Sequence, residues 1–242
     1  MSDNPVFHCG IASKTGDSHP AHISFPAANA DVREAFRLAG MDTRSESEYL
    51  LSDFESALPG LRCVLGEKGS IDELNYLANL IAELRPEERL TFEAVLTSKS
   101  TGRAPADYIN LVLNLDTFTL LDGIRDETDY GLLLREENVS AYSGLIEKLE
   151  QGKDVTMQAL ALYIRSLEKY FDAGRYGADM AAEEKGCFTP YGYLFGGEEM
   201  EQKYDGRSIP KQYCVTGESR PFRVSRGRVR GRSVRAHRER AY

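Results

Sequence analysis

No stretch of this chain approaches the ~18 to 20 consecutive apolar residues that a membrane-spanning helix needs. The opening MSDNPVFHCG has no basic segment followed by a long apolar core, so no secretory signal is visible and a cytoplasmic location is expected. Cysteine is scarce: Cys9, Cys63, Cys187 and Cys214 lie far apart, with no CxxC and no Cys/His pairing, which points to thiols rather than disulfides or zinc ligands. Histidine is scarcer in useful places. His8, His19 and His22 fall in one predicted hairpin and His237 near the end. His8 and Cys9 are neighbours, so on a strand they face opposite ways and cannot readily pair as base and nucleophile. No phosphate-binding glycine loop, HExxH, GxSxG or EF-hand loop occurs. These absences predict no catalysis, no metal and no cofactor.

What the chain has in excess is charge, unevenly placed. Its 242 residues carry 30 Lys+Arg against 38 Asp+Glu, a net of −8. From Val215 to Tyr242 stand nine arginines and two glutamates, a net of +7, which leaves −15 on the rest. An acidic body of this kind repels nucleic acid at long range and is drawn to basic surfaces. The tail, with SRGRVRGRSVRAHRER, is low in complexity and lacks a packing face, so disorder is expected over 215–242.

Along the chain, Val6 to about Leu65 reads as α+β. HCGIASKTGDSHPAHISF gives two β-compatible runs around a turn, PAANADVREAFRLAGM a helix capped by Asn29 or Asp31 and ended by Gly40, and EYLLSDFES a third strand broken by LPG. From Ser70 the pattern turns helical. SIDE is a capping box, Ile71, Leu74, Leu77, Ile81 and Leu84 form an apolar stripe, and Asp72, Glu73, Asn75, Asn79 and Glu83 form the opposite, solvated face. PEERLTFEAVL begins a second helix at Pro86, and PADYINLVLNLDTF a third with Tyr108, Leu111, Val112 and Leu115 on one side. DETDYGLLLREE is a further acidic helix, and VSAYSGLIEKLEQGKD an extra helical hairpin. TMQALALYIRSLEKYFDAGRYGADMAAEE mixes helix signals with two glycines, against one uninterrupted helix. CFTPYGYLF reads as strand, turn, strand.

Carboxylates cluster on these predicted helix faces: Asp72/Glu73/Glu83, Glu87/Glu88/Glu93, Asp122/Asp126/Glu127/Asp129, Glu136/Glu137 and Glu168/Asp172/Asp179/Glu183/Glu184. Three or four residues apart on a helix, they sit about 5 to 6 Å from one another. B-DNA presents one charge per ~1.7 Å of axis, or ~3.4 Å per strand. Such faces can imitate a row of phosphates at lower density, or they can simply be solvated.

Several segments, in order, resemble the ArdA antirestriction proteins. HISFPAANADVREAFRLAGM is similar to the family's strand ending in F-P and its first helix. EYLLSDFES, SIDELNYLANLIAELRPEERLTFEAVL, LVLNLDTF, DETDYGLLLREE and YFDAGRYGADM follow in the family's order, so the likeness spans roughly Val6 to Leu194. The segment from about Ser140 to Asp154 and the arginine-rich tail have no counterpart in that pattern.

The resemblance implies an elongated, homodimeric α+β protein of three small domains in series. These are an α+β N-terminal domain (1–68), a helical middle domain (69–125) and a mixed C-terminal domain that dimerises (126–214), followed by the tail. It implies an acidic mimic of B-form DNA, carried by a mobile element, that occupies the DNA-binding groove of type I restriction–modification enzymes. The phosphate mimics would then be Asp72, Glu73, Glu83, Glu87, Glu88, Asp126, Glu127, Asp129, Glu136, Glu137, Asp172 and Asp179, taken by helix position. Tyr170, Phe171, Tyr176 and Phe188 would serve packing and the dimer contact. Two other functions stay open at this point: a mobile-element accessory or regulatory protein of the same fold that contacts nucleic acid through its arginine tail, and, more weakly, a hydrolase using carboxylates and a divalent ion.

Overall fold

The computed structural model describes residues 5–14, 20–41, 49–61, 69–98 and 104–217. His19, Cys63, His237 and the tail beyond 217 lie outside the described residues. Strands β1 (Phe7–Ser13) and β2 (Ala21–Phe25) pair antiparallel as expected, and β3 (Tyr49–Ser56) joins the other edge of β1 to give the order β2-β1-β3. Alternation decides which face is buried: Ala21, Ile23 and Phe25 point inward while His22 and Ser24 face out. Helix α1 (Asn29–Leu38) covers that inner face with Val32, Ala35 and Phe36, and the Phe36 ring meets Tyr49 edge-on at 5.6 Å. Asp31 supports its start by accepting from the Ala28 amide at 3.0 Å.

Helices α2 (Ile71–Ala82), α3 (Pro86–Ser98) and α4 (Pro105–Leu113) follow. Ser70 caps α2 by accepting from the Glu73 amide at 3.1 Å. The predicted stripe is buried at Ile71, Leu74, Leu77 and Ile81, and it shares one continuous core with the N-terminal sheet and with Phe92, Val95, Tyr108 and Ile109. Strand β4 (Phe118–Asp122) pairs antiparallel with β6 (Gly192–Gly196), and β5 (Cys187–Thr189) closes the second sheet in the order β4-β6-β5.

Helix α5 (Glu127–Gln151) is one helix of 25 residues, so VSAYSGLIEKLEQGKD continues the acidic helix instead of forming its own hairpin. The hairpin partner is α6 (Val155–Leu167), capped by Asp154 through the amides of Thr156 and Met157 at 2.8 and 3.4 Å. The chain breaks after a 3-10 turn at Glu168–Tyr170, and α7 (Ala173–Glu184) restarts beyond Asp172. Gly174 and Gly177, which suggested a helix break, lie inside α7.

Over α5 and α7 a second, smaller core gathers Tyr130, Ala181 and Tyr193, with the two tyrosine rings stacked at 4.2 Å. Both phenols donate to one Glu184 oxygen, at 2.6 Å from Tyr130 and 3.0 Å from Tyr193.

After β6 the chain returns across the helical segment as an extended strap. The side-chain amide of Asn114 holds Glu201 by both backbone groups at 2.9 and 3.1 Å, and Asn110 holds Tyr204 the same way at 2.9 and 2.8 Å. Asn75 donates to the Tyr213 carbonyl at 2.9 Å and accepts from the Ala27 amide at 2.8 Å, so one side chain ties strap, helix and N-terminal segment together. At its end Asp72 accepts from the Val215 amide (2.7 Å), the Thr216 amide (2.9 Å) and the Thr216 hydroxyl (2.7 Å). The expectation that Asp72 and Asn75 lie on a solvated face is therefore corrected: the strap covers that face of α2 and both are buried.

Desolvation, followed by the nearby carboxylates, raises the phenols of Tyr130, Tyr193 and Tyr204 above their ordinary 10.0. Because folding raises these values, the stability they contribute is complete below about pH 10 and is lost as pH climbs through the folded values. Phenolate absorbance should show part of the 13 tyrosines titrating only together with unfolding. Urea midpoints should hold up to about pH 10 and fall progressively above it. Simple titration of every tyrosine near pH 10, without loss of structure, would contradict it.

Candidate functional site

Glycine sets the spacing of the most acidic helix pair. A Cβ at Gly131 would lie 1.9 Å from the Ala173 carbonyl oxygen, and one at Gly177 would lie 1.9 Å from that of Glu127. These two contacts fix α5 and α7 as antiparallel and in backbone contact. In that register Asp179 falls level with the start of α5 and Asp172 level with its second turn. The carboxylates of Asp126, Glu127, Asp129, Asp172 and Asp179 thus come from adjoining turns of two helices.

Three of these carboxylates are held by the backbone. Asp126 caps α5, accepting from the amides of Thr128 and Asp129 at 2.9 Å each. Asp129 accepts from the Arg125 amide at 3.1 Å, and Asp172 caps α7 through the Arg175 amide at 3.0 Å. Asp126, Glu127, Glu136, Glu137, Asp172 and Asp179 are exposed, Asp129 is half-buried, and none of them forms an ion pair among the described residues. A capping carboxylate is stabilised by the helix dipole and keeps a defined position while its remaining lone pairs face solvent.

The other predicted carboxylates, Glu83 apart, are less free. Glu83 is exposed. Glu87 and Glu88 both pair with Arg85, at 3.0 and 2.9 Å, and hydrogen bonds from Arg85 hold the Glu88 carboxyl below the usual range. Glu73 is half-buried and accepts from the Tyr204 hydroxyl at 3.1 Å. Asp72 leaves the candidate set, its carboxylate being consumed by the strap. Sequence reasoning passed over Asp154, although D-V-T-M is a legible cap. It also passed over Asp205, an exposed carboxylate held below its ordinary range by the amides of Arg207 and Ser208.

Of the aromatics assigned to a dimer contact, Phe188 packs on Tyr193 at 4.9 Å and Phe171 lies between Tyr176 (5.5 Å) and the Arg135 guanidinium (5.2 Å). Asn138 donates to the Tyr176 hydroxyl at 3.3 Å, while Tyr170 is 72% exposed. Near β1, His8 is exposed and bonded to Ser24 at 2.9 Å, while Cys9 is buried and its thiol is pushed up to about 12 by desolvation. The adjacent open groove, about 560 Å³, is lined by Pro5, Val6, His8, Phe54, Glu55, Ser56 and Ala57. Among the described residues no cluster of three or more His, Cys, Asp or Glu is placed to hold a metal ion, and no helix is long and apolar enough to cross a membrane.

Fold and surface together define an acidic α+β protein whose exposed chemistry is a set of carboxylates fixed on helix ends and faces. The family model of the antirestriction protein ArdA matches residues 14–195, and the chain belongs to that family. No curated protein matches it.

Proposed function

We propose that this chain is a cytoplasmic antirestriction protein, carried by a mobile element. In this reading it works as a homodimer that enters the DNA-binding groove of type I restriction–modification enzymes as an acidic mimic of B-form DNA. The observation that carries this is the α5/α7 surface, where the backbone-held carboxylates of Asp126 and Asp172 stand exposed with no ion pair among the described residues. A groove built of lysine and arginine exchanges DNA phosphates for such carboxylates, with electrostatic steering and steep salt dependence. Carboxylates already held by amides lose little freedom on binding, which lowers the cost of association. The geometry calls on no covalent step: the chemistry is occupation of a site.

Purified protein is expected to compete with duplex DNA for a type I methyltransferase. Methylation undiminished at high molar excess of the protein would sink the proposal for that enzyme. Within the surface, Asp126→Asn, Glu127→Gln and Asp129→Asn combined should weaken inhibition at least ~10-fold while the fold survives, because asparagine also caps helices. Glu87→Gln with Glu88→Gln should weaken it less, since Arg85 already answers those charges. The reverse ranking would move the contact surface to α2 and α3.

A further inference from the structure

The strap ends where the most basic part of the chain begins. It leaves the second sheet near Asn114 and finishes at the first turns of α1 and α2, where Asn29 and Asp72 hold Val215 and Thr216. Nine arginines and two glutamates follow Gly217, a net of +7. The described residues around that point add further cations. Arg207 and Lys211 of the strap are exposed, and so is Arg33, one turn beyond Asn29 on the same face of α1. None of the three forms an ion pair among the described residues. The neighbouring carboxylates are engaged. Asp31 accepts from the Ala28 amide, Glu34 pairs with Arg37 at 2.6 Å, and Asp72 holds the strap. Glu73 accepts from the Tyr204 hydroxyl, and Asp205 from the amides of Arg207 and Ser208 at 2.8 and 2.9 Å.

We infer that this end of the molecule is a second interaction surface, one that binds the phosphate backbone of duplex DNA without regard to sequence. Arginine selects phosphate: the segment after Gly217 has no lysine, and a guanidinium donates two parallel hydrogen bonds to phosphate oxygens. Val224, Val229 and Val234 stand five apart, a spacing that gathers no apolar face for a lipid surface. Duplex DNA is favoured over single strands because each phosphate contact releases more counterion there, about 0.9 against about 0.7. The strap argues against the chain's own acidic body as the occupant. It roots the arginines at α1 and α2, where the carboxylates are engaged, and not at the α5/α7 surface. Repulsion between that body and DNA is screened beyond about 8 Å at physiological salt. The inference stands apart from the preceding proposal, since it concerns other residues of the opposite charge.

Fluorescence anisotropy of the full chain with labelled duplex oligonucleotides tests it. Two duplexes of unrelated sequence should bind alike, with Kd of about 10⁻⁶ to 10⁻⁴ M at physiological salt. The logarithm of affinity should fall against that of salt with a slope of about −5 to −8, as about six to nine phosphate contacts require. A slope shallower than about −2, or a preference for single-stranded RNA or for phosphatidylserine vesicles, overturns the inference. Replacing the nine arginines by glutamine in the full chain should cost at least ~10-fold in affinity. Unchanged affinity with circular dichroism retained overturns it, and if that variant does not fold the wild-type slope decides. Arg33→Gln with Lys211→Gln should lower the slope by about one to two, and an unchanged slope would overturn the part given to the folded surface. Loss of duplex binding with methylation still blocked supports both readings. Inhibition lost together with duplex binding would sink the antirestriction mimic alone, since the wild type would then block methylation by coating its substrate. A wild type that inhibits without binding duplex would sink this inference alone.

Discussion

Gly177→Ala is expected to destabilise the protein by about 2 to 3 kcal/mol, although alanine in a helix interior ordinarily stabilises by ~0.5 to 1 kcal/mol relative to glycine. The sign reverses because the new Cβ would lie 1.9 Å from the Glu127 carbonyl oxygen and 2.8 Å from the Gly131 nitrogen. Both neighbours are backbone, so no side chain can swing aside and α5 and α7 must separate. Gly144→Ala is the control within the same helix pair: nothing lies within 4 Å of its Cβ. There the ordinary gain of ~0.5 to 1 kcal/mol should appear. Urea denaturation of both variants checks this, and equal effects would disprove the close approach. Because the same contact sets the start of α5, with Asp126 and Glu127, against the turn of α7 that carries Asp179, Gly177→Ala should also weaken the proposed inhibition by more than its loss of folded protein accounts for.

Asp72→Ala should release the end of the strap. Its carboxylate is the acceptor for two buried amides and a hydroxyl, and hydrogen bonds to a charged group contribute ~1.5 to 3 kcal/mol each before the stranded donors are counted. Detachment caps the loss, because freed amides of Val215 and Thr216 can turn to water. An expected cost of about 3 to 5 kcal/mol should therefore appear as fast amide exchange at those two residues and proteolysis after Tyr213 before global unfolding. Asp72→Asn keeps one acceptor oxygen and should fall between. Unchanged exchange at Val215 and Thr216 in Asp72→Ala would show that Asn75 and Asn29, the latter donating to the Val215 carbonyl at 2.8 Å, suffice to hold the strap.

Elements whose signals are local were legible from the residues. The Ser70 cap and the stripe from Ile71 to Ile81 define α2, alternation at Ala21, Ile23 and Phe25 defines β2, and the order of segments identified the family. Legible too were the exposed carboxylates of α5 and α7, since a charged residue on an amphipathic helix defaults to solvent. What was misread depended on residues far along the chain. Asp72 looks like a surface carboxylate until Val215 and Thr216, 143 and 144 positions later, supply its partners. Gly177 looks like a helix breaker until the α5 backbone occupies the space its missing side chain leaves. Local periodicity records which face a residue takes on its own helix. Only the packed structure decides what arrives at that face, because burial, hydrogen-bond satisfaction and close approach are set by segments that propensity never compares. The sequence by itself determined an acidic α+β chain with helical carboxylate faces. The tertiary structure decided which carboxylates stay unpaired among the described residues and that two glycines set the distance between α5 and α7.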